Sequence, residues 1–441
     1  MIPKPFSDLR LFAVVLALSL LAATLVWRIP FMLWDHLDFA PLYADWQNGA
    51  LSQTIFFRIH GGHLHTAAYA VLLATTWLSH GQTWLDCLAS WVFLCLYAAF
   101  VFAICRDTLS LDSGKARAAA ALIIFLVLYP GHLANLQWGW QVAVFLCLSG
   151  AAATIHFVTA SELNWKRNAA ALLATVIALL SFGTALVLIP IVLLAIMARS
   201  EWSVGKRTAF AGPWLGCGLA AACAMYSDTG LISPNSSAGA FEVAVHGWRV
   251  VHYVLNYLGS GIGRFTSELA PWLALSALIV GTAMIVATRR ERKAWPWVGL
   301  MLFGLLSAGL TALGRADEGV AQAFVSRYVS FSSTFWLGWI GLLTVATRGA
   351  AKNVVVPCVT GAIALFALVN AVSMAKRAER LADEAHAQAA VVCVAWPNVD
   401  RSLLQGMHYD GADVALERLR VVHALGFAPF DRCAPGAGES R

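Results

Sequence analysis

The chain has 441 residues, of which 59% are hydrophobic and only 12% are charged. Soluble domains carry about 25% charged residues, so this composition excludes an ordinary soluble protein and indicates a membrane protein. The formal net charge of +6 does not indicate a nucleic-acid partner, because the basic residues are spread over loops and form no patch.

Apolar runs of about 20 residues are long enough to cross a bilayer as helices. The sequence predicts an all-α polytopic membrane protein with about eleven such spans. Their approximate limits are 11–33, 84–105, 117–133, 138–159, 168–184, 186–199, 208–226, 270–288, 296–314, 328–347 and 353–375. The run at 186–199 is short and contains Pro190, which predicts a kinked or re-entrant segment.

Lys and Arg concentrate in every second segment between the spans. The richest of these segments holds Arg289, Arg290, Arg292 and Lys293. Apart from Arg28 in the first span, the intervening segments hold only Arg58, Arg249, Arg264, Arg315 and Arg327. Because positive residues remain cytoplasmic, the pattern predicts a multi-pass protein of the bacterial inner membrane with a cytoplasmic N-terminus and a periplasmic C-terminus.

The first external loop, 34–83, is predicted to contain two interfacial helices. Apolar residues of its first half repeat with helical spacing: Phe39, Leu42, Tyr43, Trp46 and Ala50. Gly49 can end this helix. The second helix, Leu64–His80, would be about 25 Å long at 1.5 Å per residue. Counting it as a span would turn every later basic loop outward, so we predict that it lies at the outer surface of the membrane.

The order of these features resembles the plan of the GT-C glycosyltransferases. One leading span is followed by an acidic residue, a long external loop, many spans with basic residues inside, and a small external C-terminal domain. The chain is also similar to uncharacterised bacterial membrane proteins of this type in Asn135-Leu136-Gln137-Trp138-Gly139-Trp140-Gln141, Tyr257-Leu258-Gly259-Ser260, and Gly314-Arg315 followed by Ser326-Arg327-Tyr328. The resemblance covers about 1–375 and implies a GT-C-like bundle. It also implies that a sugar passes from a polyprenyl phosphate carrier to an acceptor outside the membrane, with a first-loop aspartate as base.

Carboxylates at a membrane boundary are costly unless they are used, and two follow the first span directly. An inverting transfer needs a base that deprotonates the acceptor hydroxyl. Asp35 is the first candidate for this base, followed by Asp38 and then Asp45. One of these carboxylates can instead cap the helix that begins near Phe39.

The leaving phosphate of the carrier needs a cationic ligand, and arginine suits it because its fork donates two parallel hydrogen bonds. Arg327, beside Tyr328 at the entrance of a span, is the first candidate. Arg315 is the second, and Arg58 also lies in an external segment. An ion pair with the acidic residues that follow Arg315 is the structural alternative.

Three histidines lie in the first loop, at His60, His63 and His65. Their spacing allows two imidazoles to meet at zinc, but the glycines between them indicate a turn, and no Cys or carboxylate lies within the motif. We therefore expect His63 to make polar contacts or to assist acid–base chemistry. Relatives often carry a Glu-His-Arg-like segment where this chain reads Gly62-His63-Leu64, so the sequence establishes neither a second carboxylate nor a divalent metal.

The tail, 376–441, is predicted to form a small periplasmic domain with helices at about 376–390 and 408–425. It is expected to pack on the membrane domain, 1–375, because a segment of this size buries little surface alone. An oxidising periplasm permits a disulfide between Cys393 and Cys433, which the sequence leaves open.

These features predict an inner-membrane glycosyltransferase that moves a sugar from a polyprenyl-phosphate donor to a periplasmic acceptor. The acceptor can be an envelope glycan, a lipid or a surface protein such as pilin. An O-antigen-type polysaccharide polymerase or ligase is an alternative, supported by polar residues in the external loop at about 227–268: Glu242, His246, Arg249, His252 and Glu268. A lipid-linked sugar transporter is another, although no half-repeat with broken spans is visible.

Overall fold

The computed structural model of the chain describes residues 4–227, 247–348 and 354–433. Its helices are α1 (Lys4–Val26), α2 (Phe39–Gln47), α3 (Thr66–Ser79), α4 (Trp84–Thr108), α5 (Gly114–Val127), α6 (Leu133–Leu136), α7 (Val142–Thr159), α8 (Trp165–Leu179), α9 (Leu188–Met197), α10 (Val204–Ser227), α11 (Gly247–Gly263), α12 (Ala270–Thr288), α13 (Trp295–Arg315), α14 (Ser326–Ala346), α15 (Val355–Ala395) and α16 (Ala412–Ala424). Two short antiparallel strands, β1 (Ile59–His60) and β2 (His63–Leu64), pair His60 with His63.

Within the described ranges, nine helical segments are long and apolar enough to cross a membrane. They coincide with the predicted spans other than 168–184 and 186–199. The helix in the first of these, α8, has only 15 residues, and Gly183–Met197 is a shorter apolar segment in which a 3-10 turn precedes α9. The prediction of an all-α polytopic membrane protein is therefore confirmed, whereas the structure gives fewer full-length spans than eleven.

Basic residues gather at one end of the helical bundle. Arg10 lies over an aromatic ring near the end of α4, with 5.9 Å between the guanidinium carbon and the ring centroid. The indole of Trp297, at the start of α13, donates to the hydroxyl of Thr108 at the end of α4 (3.0 Å). Arg292, just before α13, pairs with Glu201 between α9 and α10. These contacts place several of the basic segments at a common level.

The first loop lies at the opposite end, where α1 finishes. Phe39 and Leu42 on α2 are buried, and the helix stops before Gly49, whose φ of +74° suits only glycine well. The apolar face predicted for α2 is thus confirmed. Helix α3 has 14 residues, which is about 21 Å and shorter than a hydrocarbon core of about 30 Å.

Residues 376–390 are helical, as predicted, but they do not form a separate helix of the tail. Instead α15 continues without a break for 41 residues, about 60 Å at 1.5 Å per residue. No Gly or Pro interrupts the segment from 362 to 396. The helix ends only before Pro397, because the residue that precedes a proline is forced into an extended conformation; Trp396 has ψ +140°.

The remainder of the tail folds back onto the first loop, as expected. Cys393, at the end of α15, is disulfide-bonded to Cys433. Phe427 packs against Tyr43 of α2, with 5.2 Å between ring centroids. The same phenylalanine lies so close to Gly81 that a Cβ there would be 2.3 Å from its ring. The tail is therefore tied both to α15 and to the loop that it covers.

The disulfide closes a segment of 40 residues, and a cross-link of this kind stabilises by about 2–4 kcal/mol. We expect Cys393→Ser and Cys433→Ser to increase the rate at which a protease cleaves residues 396–433 in detergent-solubilised protein. Cys358→Ser is the matched control, because Cys358 is an exposed free thiol on the same helix. Equal cleavage rates in all three variants would contradict a role of the disulfide in holding the tail.

Candidate functional site

The candidate site is built around a 3-10 turn, Trp34–Asp38, that follows α1. Trp34 adopts φ +55°, a strained conformation for a residue with a side chain. The tail holds it there, because the Trp34 N–H donates to the carbonyl of Met407 (2.8 Å) and its indole donates to that of Gly406 (3.0 Å). The turn thus depends on residues more than 370 positions away.

Asp35 is half-buried in this turn. In the described part of the chain its carboxylate makes no hydrogen bond and no ion pair. Burial raises the pKa of the Tyr69 phenol on α3, and the charges of Asp38 and Asp35 raise it further. Tyr69 therefore lies near both carboxylates. The Tyr69 hydroxyl is buried and has no hydrogen-bond partner among the described residues. An unpaired carboxylate and an unpaired phenol therefore occur within electrostatic reach of each other.

Asp38, by contrast, is fully engaged. One oxygen accepts a hydrogen bond from Arg418 Nε (2.8 Å), and the other lies 3.3 Å from His408 Nε2 and 3.9 Å from His60 Nε2. Burial alone would lower the pKa of Arg418, but the hydrogen bond and charge of Asp38 outweigh it and raise that pKa. Asp38 is thus the point at which the tail is fastened to the first loop.

The indole of Trp140 packs against the histidines of the first loop. Four rings surround it, those of His36, His60, His65 and Tyr69, at centroid distances of 6.3, 5.6, 5.5 and 5.7 Å. Trp140 comes from the Trp-Gly-Trp segment between α6 and α7 and is 6% exposed. The first loop is therefore packed directly on the membrane domain.

His63 is held as a neutral imidazole. Its ring stacks on Phe182 with 4.1 Å between centroids, and its Nδ1 accepts a hydrogen bond from the N–H of Gly183 (3.2 Å). Burial lowers the pKa of His63 well below 6.5, and the charges of His65, Arg327 and Arg315 lower it further. With Nδ1 accepting, the proton of the neutral ring lies on Nε2, which is a donor.

The two arginines named by the sequence lie within electrostatic reach of this histidine, because their charges lower its pKa. Arg327 is half-buried, with its guanidinium carbon 5.5 Å from the ring centroid of Tyr328, and it has no carboxylate partner among the described residues. Arg315 pairs with Glu318 at 3.2 Å. The structural alternative therefore applies to Arg315, whereas Arg327 remains without a counter-charge in the described ranges.

Two predicted site residues do not join this cluster. Arg58 has an exposed side chain after a 3-10 turn, and Asp45 is half-buried on α2. Neither side chain forms a hydrogen bond or ion pair with the residues described above. Glu242 and His246, which supported the polymerase alternative, lie outside the described residues, and Arg249 pairs with Asp317 at 3.6 Å.

The structure adds a buried carboxylate that the sequence analysis missed. Asp86, in the first turn of α4, is 1% exposed, accepts a hydrogen bond from Thr75, and lies 3.9 Å from His36 Nε2. Burial lowers the pKa of His36 to about 3, so the ring is neutral. A carboxylate at the start of an apolar span was the signal that could have identified Asp86.

The histidine cluster does not fit a metal. Among the residues that the structure describes, no group of three His, Cys, Asp or Glu side chains has metal-binding geometry. The Nδ1 of His65 already has a hydrogen-bond partner, the carbonyl of Ser181, at 3.0 Å. Burial lowers the pKa of His65 to about 3.

The Asp38–Arg418 contact should stabilise the docked tail. A hydrogen bond between charged, largely buried groups contributes about 1.5–3 kcal/mol, so a double-mutant cycle with Asp38→Asn and Arg418→Gln should give a coupling free energy in this range. Thermal unfolding of the four purified proteins measures it. The pair Arg401 and Asp413, 3.0 Å apart but 73% and 74% exposed, is the control and should give about 0–1 kcal/mol. Equal coupling in both cycles would contradict the assignment.

Comparison of the chain with protein-family models, with characterised proteins and with solved structures finds no match. Any function must therefore be argued from the geometry of the site itself.

Proposed function

We propose that the chain is a GT-C-type glycosyltransferase of the bacterial inner membrane that takes a sugar from a polyprenyl phosphate carrier. One observation carries the proposal. An unpaired carboxylate, Asp35, and an arginine without a carboxylate partner among the described residues, Arg327, belong to the same end of the bundle, and the neutral donor His63 lies close to that arginine. A base and an anion ligand are the two groups that such a transfer requires.

The orientation in the membrane follows from the segregation of charge. The end with Arg10 and Arg292 faces the cytoplasm, since positive residues remain inside, and the end with the first loop then faces the periplasm. Trp46 of α2 and Trp77 of α3 are 37% and 58% exposed, which suits the aromatic belt at a membrane surface. A disulfide in the tail suits the oxidising periplasm.

In the proposed reaction, Asp35 accepts the proton of the acceptor hydroxyl. The hydroxyl oxygen then attacks the anomeric carbon of the sugar, and the bond from that carbon to the carrier phosphate breaks. The phosphate leaves with the bonding electron pair, and the anomeric configuration is inverted. Arg327, helped by the Nε2–H of His63, stabilises the charge that develops on the phosphate oxygens.

Asp35 is preferred over Asp38 as the base for a physical reason. A carboxylate whose oxygens accept hydrogen bonds from Arg418 and His408 has few free lone pairs, and removing it would also release the tail. The polymerase or ligase alternative has less support, because Arg249, its described basic residue, is already paired with Asp317 and Glu268 is an exposed carboxylate with no basic partner in the described ranges.

Asp35→Asn retains size and polarity but cannot accept the proton. We expect it to lower the rate of sugar transfer by about 10²–10⁴-fold while the melting temperature is unchanged, because the carboxylate has no partner to lose. The assay is transfer of labelled sugar to envelope material in membranes from cells that express each variant. Asp45→Asn is the control and should retain activity. Full activity of Asp35→Asn would remove the proposed mechanism.

Arg327→Gln should weaken binding of polyprenyl phosphate to the purified protein by about 10–100-fold, the effect of losing a charged hydrogen-bonded contact. Because Arg327 has no carboxylate partner in the described ranges, the melting temperature of the Arg327→Gln protein should stay close to that of the wild type. Arg58→Gln, at an exposed position of the first loop, should bind normally. Unchanged binding with a lowered melting temperature would make Arg327 structural.

A further inference from the structure

A second pair of arginines lies together at the same end of the bundle. Arg264, between α11 and α12, donates from Nε to the carbonyl of Phe324 (2.6 Å) and from Nη1 to the sulfur of Met374 on α15 (3.4 Å). Arg377 follows Met374 by three residues, so it lies on the neighbouring turn of the same helix. Its Nε is buried and has no hydrogen-bond partner among the described residues. Two guanidinium groups therefore approach each other.

No carboxylate neutralises this pair within the described ranges. Neither Arg264 nor Arg377 takes part in an ion pair there, and both are half-buried. Burial, together with the neighbouring charge of Arg377, lowers the pKa of Arg264 to about 10. Two partly buried like charges repel each other and are poorly solvated, which is unfavourable unless an anion lies between them. An anionic ligand held between the two guanidinium groups would relieve this repulsion.

The surface beside this pair is apolar and faces outward. Phe265, next to Arg264, is 39% exposed and stacks on Phe366 of α15 with 5.9 Å between ring centroids. Exposed apolar surface therefore lies directly beside Arg264, where the hydrocarbon chain of a bound lipid can pack.

The depth of the arginine pair also fits a lipid headgroup. The amide nitrogen of Gln137, in its hydrogen-bonding orientation, donates to the carbonyls of Trp27 (3.3 Å) and Ala378 (3.1 Å). Ala378 follows Arg377, and Trp27 follows the candidate span Ser7–Val26 directly. Arg377 is consequently at the level where the apolar part of α1 ends, which is where phosphates of a bilayer lie.

We propose that Arg264 and Arg377 bind the phosphate of a membrane lipid whose hydrocarbon chain packs beside Phe265 and Phe366. Two guanidinium forks can hold one phosphate through parallel charge-assisted hydrogen bonds. A phospholipid and a prenyl phosphate share this chemistry. The site uses neither Asp35 nor Arg327, so it goes beyond the proposed transfer reaction and stands independently of it.

The test is lipid binding in the Arg327→Gln background, which separates this site from the proposed carrier site. Purified full-length protein in detergent is titrated with farnesyl phosphate, dioleoyl phosphatidic acid, farnesol and inorganic phosphate. We expect at least one of the two lipid phosphates to bind at least about tenfold more tightly than farnesol or inorganic phosphate. The stronger of the two lipid phosphates identifies the source of the headgroup. Equal binding of inorganic phosphate would overturn the assignment to a lipid.

Arg377→Gln is the decisive variant, because in the described ranges its Nε has no hydrogen bond to lose. We expect it to weaken binding of the lipid phosphate at least about tenfold and to leave the melting temperature of the lipid-free protein unchanged or higher, since repulsion from Arg264 is relieved. Arg380→Gln, at an exposed position three residues further along α15, should bind normally. Wild-type binding by Arg377→Gln, or a melting temperature lowered without loss of binding, would make the residue structural and overturn the proposal.

Discussion

The ion pair between Asp38 and Arg418 joins the first loop to the tail, and the end of the bundle that carries the first loop depends on it. It fixes the turn that carries both first-loop aspartates, because the same stretch of tail accepts hydrogen bonds from Trp34. The two carboxylates thereby acquire different roles. The oxygens of Asp38 bind Arg418 and His408 of the tail. The oxygens of Asp35, three residues earlier, have no hydrogen-bond partner among the described residues.

Electrostatics divides the remaining charges in the same way. At one end, Arg292 meets Glu201 in an ion pair that is half exposed and contributes little to stability. At the other end, Arg327 has no such partner within the described ranges, and the imidazole of His63 near it is neutral. A cation that is partly removed from water and lacks a protein partner favours an anionic ligand. Arg264 and Arg377 repeat this arrangement beside an apolar surface.

Much of the local structure could be predicted from the sequence, because it rests on spacing within a few residues. The apolar period of α2 and its end before Gly49 followed from helical geometry, and the distribution of basic residues over the later loops argued against a span at α3. The end of α15 was misjudged for a physical reason. Hydropathy falls near residue 375, but no Gly or Pro interrupts the sequence from 362 to 396, so no local breaker ends the helix there.

The candidate site was only partly predictable. Asp35 and Arg327 stood out because charge near a span is costly. His408 and Arg418 carried no signal of their own, since their contact with Asp38 is set by the folding of a tail some 370–380 residues away. Arg377 was equally difficult to identify. In the sequence it is one of several charged residues after a span, and only its proximity to Arg264 in the fold distinguishes it from them.

The most direct measurement is an electron cryo-microscopy structure of the full chain in lipid nanodiscs with bound polyprenyl phosphate. The account predicts density for the phosphate within about 2.7–3.1 Å of the Arg327 guanidinium nitrogens, with the carboxylate of Asp35 unpaired with any protein side chain and Asp38 still paired with Arg418. A phosphate bound at the basic end of the bundle, or an Asp35 carboxylate paired with another protein side chain in that complex, would contradict it.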